Sequence, residues 1–213
     1  MLVLLPGIQA GLVEFSRLRP LLGPHLALEL PACAGRTLAE HAAALEAALP
    51  PGAHDFVAAS FGGLLVWALP RGRVRRVVTL GTLPFATPAV RRSDRAAHVV
   101  AWTPERLYRA LYERRIRASL IADGADPAVL AAVSPPPRAV LAGRLAAIGA
   151  WGLGAPPPGA VWAWGEADPW VTWTREAVAA VGAEPEVLPG GHRPHLSHPD
   201  AVAALMRRVF APR

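Results

Sequence analysis

Residues 56–63 read Phe56-Val57-Ala58-Ala59-Ser60-Phe61-Gly62-Gly63. The first four are apolar and typical of a short buried strand, and the apolar run that continues to Leu69 after Ser60 predicts a helix. A sharp strand-to-helix turn lifts the serine clear of a sheet, and it needs small residues two positions before and after the serine. Gly62 meets that need, whereas Ala58 stands where the pattern usually has glycine. The stretch predicts a nucleophilic Ser60; the alternative is a serine that only caps a core helix.

On both sides of this turn the sequence alternates between short apolar runs and stretches with helical spacing. A capping box, Thr37-Leu38-Ala39-Glu40, opens one of the helices. This alternation indicates an α/β fold, with a mostly parallel sheet and helices on both faces. The predicted strands are Leu2–Leu5, Leu26–Leu30, Phe56–Ala59, Arg76–Leu80, Val161–Trp164 and Glu186–Leu188, and the predicted helices are Glu14–Leu22, Leu38–Leu49, Ser60–Leu69, Trp170–Val181 and Pro199–Phe210.

The alternation is interrupted between residues 83 and 158. This segment has helical spacing near Thr103–Ala118 and Pro137–Ala150, a shorter helical stretch near Pro127–Val133, and prolines at 135–137 and 156–158. We interpret it as a helical insertion, because its proline-rich stretches are too short to be domain linkers. A chain of 213 residues also falls within the usual size of one domain. The sequence therefore predicts a single domain over 1–213 with a helical insertion at about 83–158.

A candidate acid follows the predicted strand Val161–Trp164. Asp168 lies a few residues beyond the carboxyl end of that strand, at the edge of a parallel sheet where ligands usually bind. Two other interpretations stay open. Asp168 could cap the helix that begins at Pro169, a role that Asp before Pro fills well. Glu166 is the competing acid.

A candidate base lies in the loop after the last predicted strand, which reads Pro189-Gly190-Gly191-His192-Arg193-Pro194-His195-Leu196-Ser197-His198-Pro199-Asp200. His192 directly follows the glycine pair, where a flexible turn can aim an imidazole at the serine. Ser197 and Asp200 form a predicted capping box, which makes His198 a structural residue. An imidazole with its ordinary pKa near ~6.5 can accept a serine proton and return it near neutral pH.

The three candidates gain weight from their order in the chain. Ser60, Asp168 and His192 each come just after a predicted strand, and serine, acid, histidine is the chain order of the triads found on such sheets. The sequence therefore predicts a catalytic triad of Ser60, Asp168 and His192.

With these motifs the chain resembles the α/β-hydrolase superfamily over nearly its whole length, from Leu2-Val3-Leu4-Leu5-Pro6-Gly7 to the final helix. Many members have His-Gly after the first strand, whereas this chain has Pro6-Gly7. Some thioesterases share this Pro-Gly pair. The resemblance implies that the insertion is a cap and that the backbone N–H groups of Ile8 and Phe61 form the oxyanion hole. It also implies that cap aromatics line the substrate site. The candidates are Trp102, Tyr108, Tyr112, Trp151 and Trp170, any of which could instead be ordinary core residues.

Charge gives no clear sign of a partner. The net charge is +6, but all 22 basic residues are arginines and they are scattered along the chain, so we expect no nucleic-acid binding. The densest group, Arg106–Arg117, is interleaved with glutamates and is typical of a solvated helix face. The layout also resembles the pimeloyl-acyl-carrier-protein methyl esterases. That likeness implies that this basic face could meet an acidic acyl carrier protein.

Composition narrows the setting of the protein further. Cys33 is the single cysteine, so we expect neither an intrachain disulfide nor a cysteine metal site. The start of the chain has no basic segment typical of a signal peptide, and no apolar run reaches the ~20 residues of a membrane span. We expect a cytoplasmic enzyme with neither metal nor cofactor.

The predicted reaction is hydrolysis of a carboxylic ester or thioester through an acyl-enzyme on Ser60. A cofactor-free lyase on the same fold is one alternative, since a serine and a histidine can also act as acid and base without acylation. A second alternative is a binding protein that has lost catalysis. It is suggested by Ala58 and Pro6, which stand where the family pattern commonly has glycine and histidine.

Overall fold

The computed structural model describes residues 1–9, 11–82, 88–151, 159–169 and 185–211, apart from the side chains of residues 88–91. The described strands form one six-stranded sheet in the order β2-β1-β3-β4-β5-β6, and all neighbours are parallel. The predicted α/β fold class is therefore confirmed. The strands are β1 (Leu2–Leu5), β2 (His25–Ala27), β3 (His54–Ala59), β4 (Val74–Leu80), β5 (Val161–Gly165) and β6 (Glu186–Leu188).

Helices surround this sheet. The described α-helices are α1 (Leu38–Ala48), α2 (Phe61–Ala68), α3 (Pro88–Trp102), α4 (Glu105–Ala122), α5 (Pro127–Ala132), α6 (Arg138–Gly149), α7 (Pro194–Ser197) and α8 (Pro199–Phe210). Helix α1 begins at the predicted capping box, in which the Thr37 hydroxyl accepts the Glu40 N–H and the Glu40 carboxylate accepts the Thr37 N–H. The helix predicted over Trp170–Val181 lies outside the described residues.

The central strands supply two separate cores because successive side chains of a strand point to opposite faces of the sheet. On one face, Val3 and Leu5 of β1 pack in a cluster with residues of α1 and α2. On the other face, Leu4 packs in a cluster with Val202 and Leu205 of α8. The sheet is thus fixed from both sides, and the loops at the carboxyl ends of its strands start from buried positions.

Several features differ from the prediction, among them β2, which covers His25–Ala27 rather than Leu26–Leu30. The segment predicted as a helix over Glu14–Leu22 forms two short 3-10 helices instead, Gly11–Phe15 and Arg19–Leu21. The cause is Pro20, which has no N–H to donate and whose ring would clash with a carbonyl one turn back in an α-helix. The capping box predicted from Ser197 and Asp200 is wrong. The residue that precedes α8 is His198, and its side chain makes no capping hydrogen bond.

The sequence did not predict α3. This helix packs closely on α6: a Cβ built on Gly149 would lie 2.6 Å from the backbone nitrogen of Asp94. Among the described side chains of α3, Ala97 is buried, whereas Val99 and Trp102 are exposed. Since small residues make the contact, no run of large apolar side chains marks the helix in the sequence. Pro88 at its first position is the signal that could have located it.

Helices α3 to α6 lie between β4 and β5, inside the stretch predicted as an insertion. One face of α4 forms a third core with residues of α5, α6 and α7. The buried members of that core are Tyr108, Tyr112, Ile116, Leu120, Val129, Leu141 and Leu196. Ile8, in the loop after β1, packs against it, so the insertion contacts the carboxyl edge of the sheet. Its limits at 83 and 158 stay a prediction.

At the opposite edge of the sheet, a buried carboxylate joins two strands. Asp55, near the start of β3, accepts hydrogen bonds from Arg75 Nε at 2.9 Å and from Arg76 Nε at 3.0 Å, both on β4. Burial raises the pKa of Asp55, but the hydrogen bonds and charges of the two guanidinium groups lower it overall from 3.8 to about 2.

We expect Asp55→Asn to lower the free energy of unfolding by about 2 kcal/mol at pH 7, since a shift of one pKa unit corresponds to ~1.4 kcal/mol. A lowered folded-state pKa stabilises the protein fully above the unfolded pKa, and this contribution is lost as the pH falls toward 2. Urea unfolding of both proteins at pH 7, 4 and 3 measures the difference, which should shrink below pH 4. A difference that stays constant over this range would contradict the ion-pair origin.

Candidate active site

Ser60 occupies the turn between β3 and α2 in a strained backbone conformation. Its φ is 48°, and it is the one non-glycine residue with positive φ in the described part of the chain. Such a conformation costs of order 1–3 kcal/mol and persists only where the surroundings enforce it. The Ser60 hydroxyl makes no capping hydrogen bond to α2, so the alternative of a helix-capping serine does not describe this residue.

Gly62 allows the turn to form. A Cβ built on this residue would lie 2.5 Å from the carbonyl oxygen of Pro6, so α2 can approach the loop after β1 only if a side chain is absent there. Ala58, the departure from the usual pattern, is fully buried in β3. The sheet accommodates its methyl group at that position.

His192 and Asp168 are joined by a hydrogen bond. His192 Nδ1 lies 2.8 Å from Asp168 Oδ2. The carboxylate is fully buried while the imidazole keeps 18% of its surface exposed. Glu166, the competing acid, is exposed. The structure therefore pairs His192 with the acid that the sequence favoured.

His192 lies beside the serine turn. A Cβ built on Gly81 would lie 3.1 Å from His192 Cε1, and Gly81 directly follows Leu80, whose carbonyl accepts the Ser60 N–H at 2.7 Å. Within the described residues no hydrogen bond joins the Ser60 hydroxyl to His192. Catalytic hydrogen bonds are often long without substrate and tighten when it binds.

The other two histidines of this loop occupy different environments. His195 is fully buried, and its ring lies 4.7 Å from the Phe15 ring, centroid to centroid. His198 is exposed, with Nδ1 3.0 Å from the Ser197 hydroxyl. Among the three, His192 alone contacts Asp168 through a hydrogen bond in the described structure.

The loop after β1 comes close to the serine. A Cβ built on Gly7 would lie 3.4 Å from Ser60 Cβ, which places Ile8 one residue from this contact. Phe61 is the first residue of α2, and the first N–H groups of a helix have no partner inside it. Ile8 is therefore next in sequence to a residue that contacts Ser60, and Phe61 directly follows Ser60; the role of their amides as oxyanion donors stays a prediction.

The candidate wall residues are placed differently from one another. Trp102 is 86% exposed, and Tyr108 and Tyr112 are buried. The Tyr108 hydroxyl donates to the Pro136 carbonyl and the Tyr112 hydroxyl to the Gln9 carbonyl. Trp151 is half-buried against the core of α1 and α2, and Trp170 lies outside the described residues.

Burial raises the pKa of Tyr108 to about 12 and raises that of Tyr112 still further. Both hydroxyls therefore stay protonated as donors. The two residues act as internal supports in the structure, and their contact with substrate stays a prediction.

A cavity of about 300 Å³ opens beside the loop after β1, under α6. Its lining includes Gly7, Gln9, Glu29, Leu30, Val140 and Arg144. Sequence reasoning missed Arg144 and also the buried Glu14. A signal was present for both. Arg144 is the single charged residue in Ala139–Ile148, where all other residues are apolar or glycine, and Glu14 is the single charged residue in the apolar stretch Leu12–Phe15.

No cluster of three or more His, Cys, Asp or Glu side chains in the described residues could hold a metal ion. No helix in them is long and apolar enough to cross a membrane.

Solved structures share this fold at low sequence identity. A hydrolase from Pseudomonas aeruginosa PA01 is 21% identical with a TM-score of 0.76, and the match covers 99% of this chain and 90% of that one. A thermophilic esterase from Thermogutta terrifontis is 18% identical with a TM-score of 0.68, covering 97% and 88%. The bottromycin epimerase BotH is 16% identical with a TM-score of 0.62, covering 98% and 88%.

These three proteins carry names of different activities, so the likeness shows the fold and leaves the reaction open. No curated protein matches the sequence. The family model described as "Alpha/beta hydrolase family" matches residues 2–205. The chain therefore belongs to the alpha/beta hydrolase family.

Proposed function

We propose that the protein hydrolyses a carboxylic ester or thioester through an acyl-enzyme on Ser60, with His192 as the base and Asp168 as its orienting acid. The observation that carries the proposal is the hydrogen-bonded pair of His192 and the fully buried Asp168 carboxylate beside a serine held at a φ of 48°. Strained backbone at a turn of this kind is common at catalytic residues.

The reaction follows from the positions of these groups. Ser60 Oγ attacks the substrate carbonyl carbon while His192 Nε2 takes the hydroxyl proton, and Asp168 holds Nδ1–H and stabilises the imidazolium. The carbonyl oxygen becomes an oxyanion, which accepts hydrogen bonds from the Ile8 and Phe61 N–H groups. When the intermediate collapses, the proton passes from His192 to the departing alcohol or thiol. Water, activated by His192, then releases the acid from Ser60.

The cavity beside the loop after β1 offers a place for part of the substrate. It borders Gly7 and Gln9, on either side of the proposed oxyanion donor Ile8. A substrate carbonyl bound by the Ile8 amide would lie next to this space. We propose that the cavity receives one of the two groups flanking the ester.

The basic stretch of α4 is a candidate surface for an acyl carrier protein. Arg106, Arg109, Arg114, Arg115 and Arg117 are all exposed, while the opposite face of α4 is buried. Arg109 forms an ion pair with Glu105 at 2.9 Å, so part of this charge is balanced within the helix. Activity on acyl-carrier-protein esters that falls with salt would support this substrate, because exposed ion pairs are screened.

We expect a fluorophosphonate probe to label the protein once, on Ser60. We also expect p-nitrophenyl esters to give an acyl-enzyme, in which the mass of the protein is increased by that of the acyl group. Intact-protein mass spectrometry measures both adducts, and initial rates over acyl lengths from C2 to C12 rank the substrates. Labelling without any acyl adduct would favour the lyase. A folded protein that neither reagent modifies would be a binding protein.

A further inference from the structure

Side chains hold three consecutive residues of the loop after β1. The Gly7 N–H donates to the Glu14 carboxylate. The Ile8 carbonyl accepts a hydrogen bond from Arg144 Nη1 at 3.2 Å. The Gln9 carbonyl accepts one from the Tyr112 hydroxyl. This loop carries the proposed oxyanion donor, and its conformation is fixed by groups from the first 3-10 helix and from two helices of the insertion.

Glu14 is the charged member of this set and is 2% exposed. Its Oε2 lies 3.6 Å from Arg193 Nε, and its Oε1 lies 3.8 Å from His195 Nε2. Burial raises the pKa of Glu14, but the nearby His195 imidazole, the charge of Arg193 and the hydrogen bond from the Gly7 N–H lower it overall below its ordinary value. The side chain is therefore a carboxylate at neutral pH.

The same cluster reaches the loop that carries His192. Arg193 directly follows His192, is 6% exposed, and donates through Nη1 to Asp123 at 2.6 Å and to the Ser119 hydroxyl at 2.9 Å. Ser119 lies in the last turn of α4, and Asp123 directly follows this helix. The Glu14 carboxylate thus lies between the loop after β1, the histidine loop and the insertion.

A buried carboxylate is costly unless charges and hydrogen bonds compensate for it. The proposed reaction assigns no step to Glu14. The carboxylate supplies two things that an apolar residue could not: a negative charge beside the buried Arg193 and His195, and an acceptor for the Gly7 N–H.

The order of the peptide groups shows what this acceptor fixes. The Gly7 N–H belongs to the peptide before Gly7, and the Ile8 carbonyl belongs to the peptide after Ile8. Between these two fixed planes lies the Gly7–Ile8 peptide, which carries the Ile8 N–H. Without side-chain contacts, Gly7 would allow this plane many orientations.

We propose that Glu14 is a positioning residue that orients the Ile8 N–H toward the oxyanion formed at Ser60. The inference rests on the proposed function. It assigns to Glu14 no contact with the substrate and no proton transfer, only the conformation of the loop.

We expect Glu14→Gln to lower kcat and the rate constant of fluorophosphonate labelling by about 10- to 100-fold, with KM within about threefold of the wild type. Complete loss of one oxyanion donor typically costs 10²–10³ in kcat, and a misoriented donor should cost less. A glutamine would also turn an NH2 group toward Arg193 or Gly7, which are both donors.

Asp55→Asn is the matched control. Asp55 is likewise a buried carboxylate with two cationic partners, but it lies five residues before Ser60 along β3, roughly 16 Å away at ~3.3 Å per residue. We expect both rates of this variant to stay within about twofold of the wild type. A general effect of removing a buried charge would lower the rates of both variants equally and would overturn the proposal.

Glu14→Asp keeps the charge near Arg193 and His195 and withdraws the acceptor from Gly7 by one methylene, so it tests the proposal if Glu14→Gln fails to fold. We expect at least a fivefold loss of kcat. In spectra of protein labelled with [15N]glycine, the Gly7 amide proton should move upfield in either variant because its hydrogen bond is weakened.

The outcomes separate the two proposals. A wild type that the probe does not label would overturn the proposed function. A labelled wild type, with folded Glu14 variants that react equally fast and an unmoved Gly7 amide, would overturn the positioning role alone.

Discussion

Ser60→Ala will lower kcat for p-nitrophenyl esters by at least ~10⁴, and the fluorophosphonate adduct will disappear. The reason is that the substitution removes the atom that becomes acylated, while the residual rate comes from the oxyanion donors and substrate binding alone. The comparison needs rates measured at saturating substrate, with protein concentrations set by the fraction of folded protein.

Folding should not account for this loss. The Ser60 side chain does not cap α2, and alanine has the same backbone preferences at a φ of 48°, so we expect no fall in Tm. Ser197→Ala is a suitable control, since it removes a hydroxyl that donates to the Arg193 carbonyl in the histidine loop. A Ser60→Ala protein with wild-type activity would end the proposal of an acyl-enzyme on this residue.

The sheet and the turn at Ser60 could be predicted from local sequence patterns. The sheet was predictable because its strands are short apolar runs bounded by glycine or proline, and because strand-helix alternation leaves few topologies. The turn at Ser60 was predictable for a similar reason. Its backbone geometry depends on features that are close in sequence, the strand before Ser60 and the small residue at position 62.

What the sequence could not supply depends on contacts between distant segments. Asp168 and Glu166 are both carboxylates after β5, and only the tertiary structure buries one and exposes the other. Glu14 contacts Gly7 nearby in sequence but Arg193 almost at the other end of the chain. Arg144 reaches back to the carbonyls of Ile8 and Leu30. No local pattern predicts such partners, although a lone charge within an apolar stretch indicates that one must exist.

Asp168→Asn will lower kcat by about 10⁴ while leaving the serine in place. An asparagine can turn its amide oxygen or its NH2 group toward His192 Nδ1, but it carries no charge to stabilise the imidazolium, and it no longer enforces the tautomer with Nε2 free to accept the Ser60 proton. Because the carboxylate is fully buried, solvent cannot replace it.

Glu166→Gln is the control for this experiment. Glu166 is exposed and lies two residues before Asp168, so this variant also removes one negative charge from the loop after β5. The long-range effect of that charge on His192 should be small, and kcat should stay within about twofold of the wild type. The two variants thus separate a specific partner of His192 from a general electrostatic effect of the loop after β5. If both lost activity equally, or Glu166→Gln lost more, the orienting acid would not be Asp168, and its hydrogen bond to His192 would serve the packing of the loop rather than the reaction.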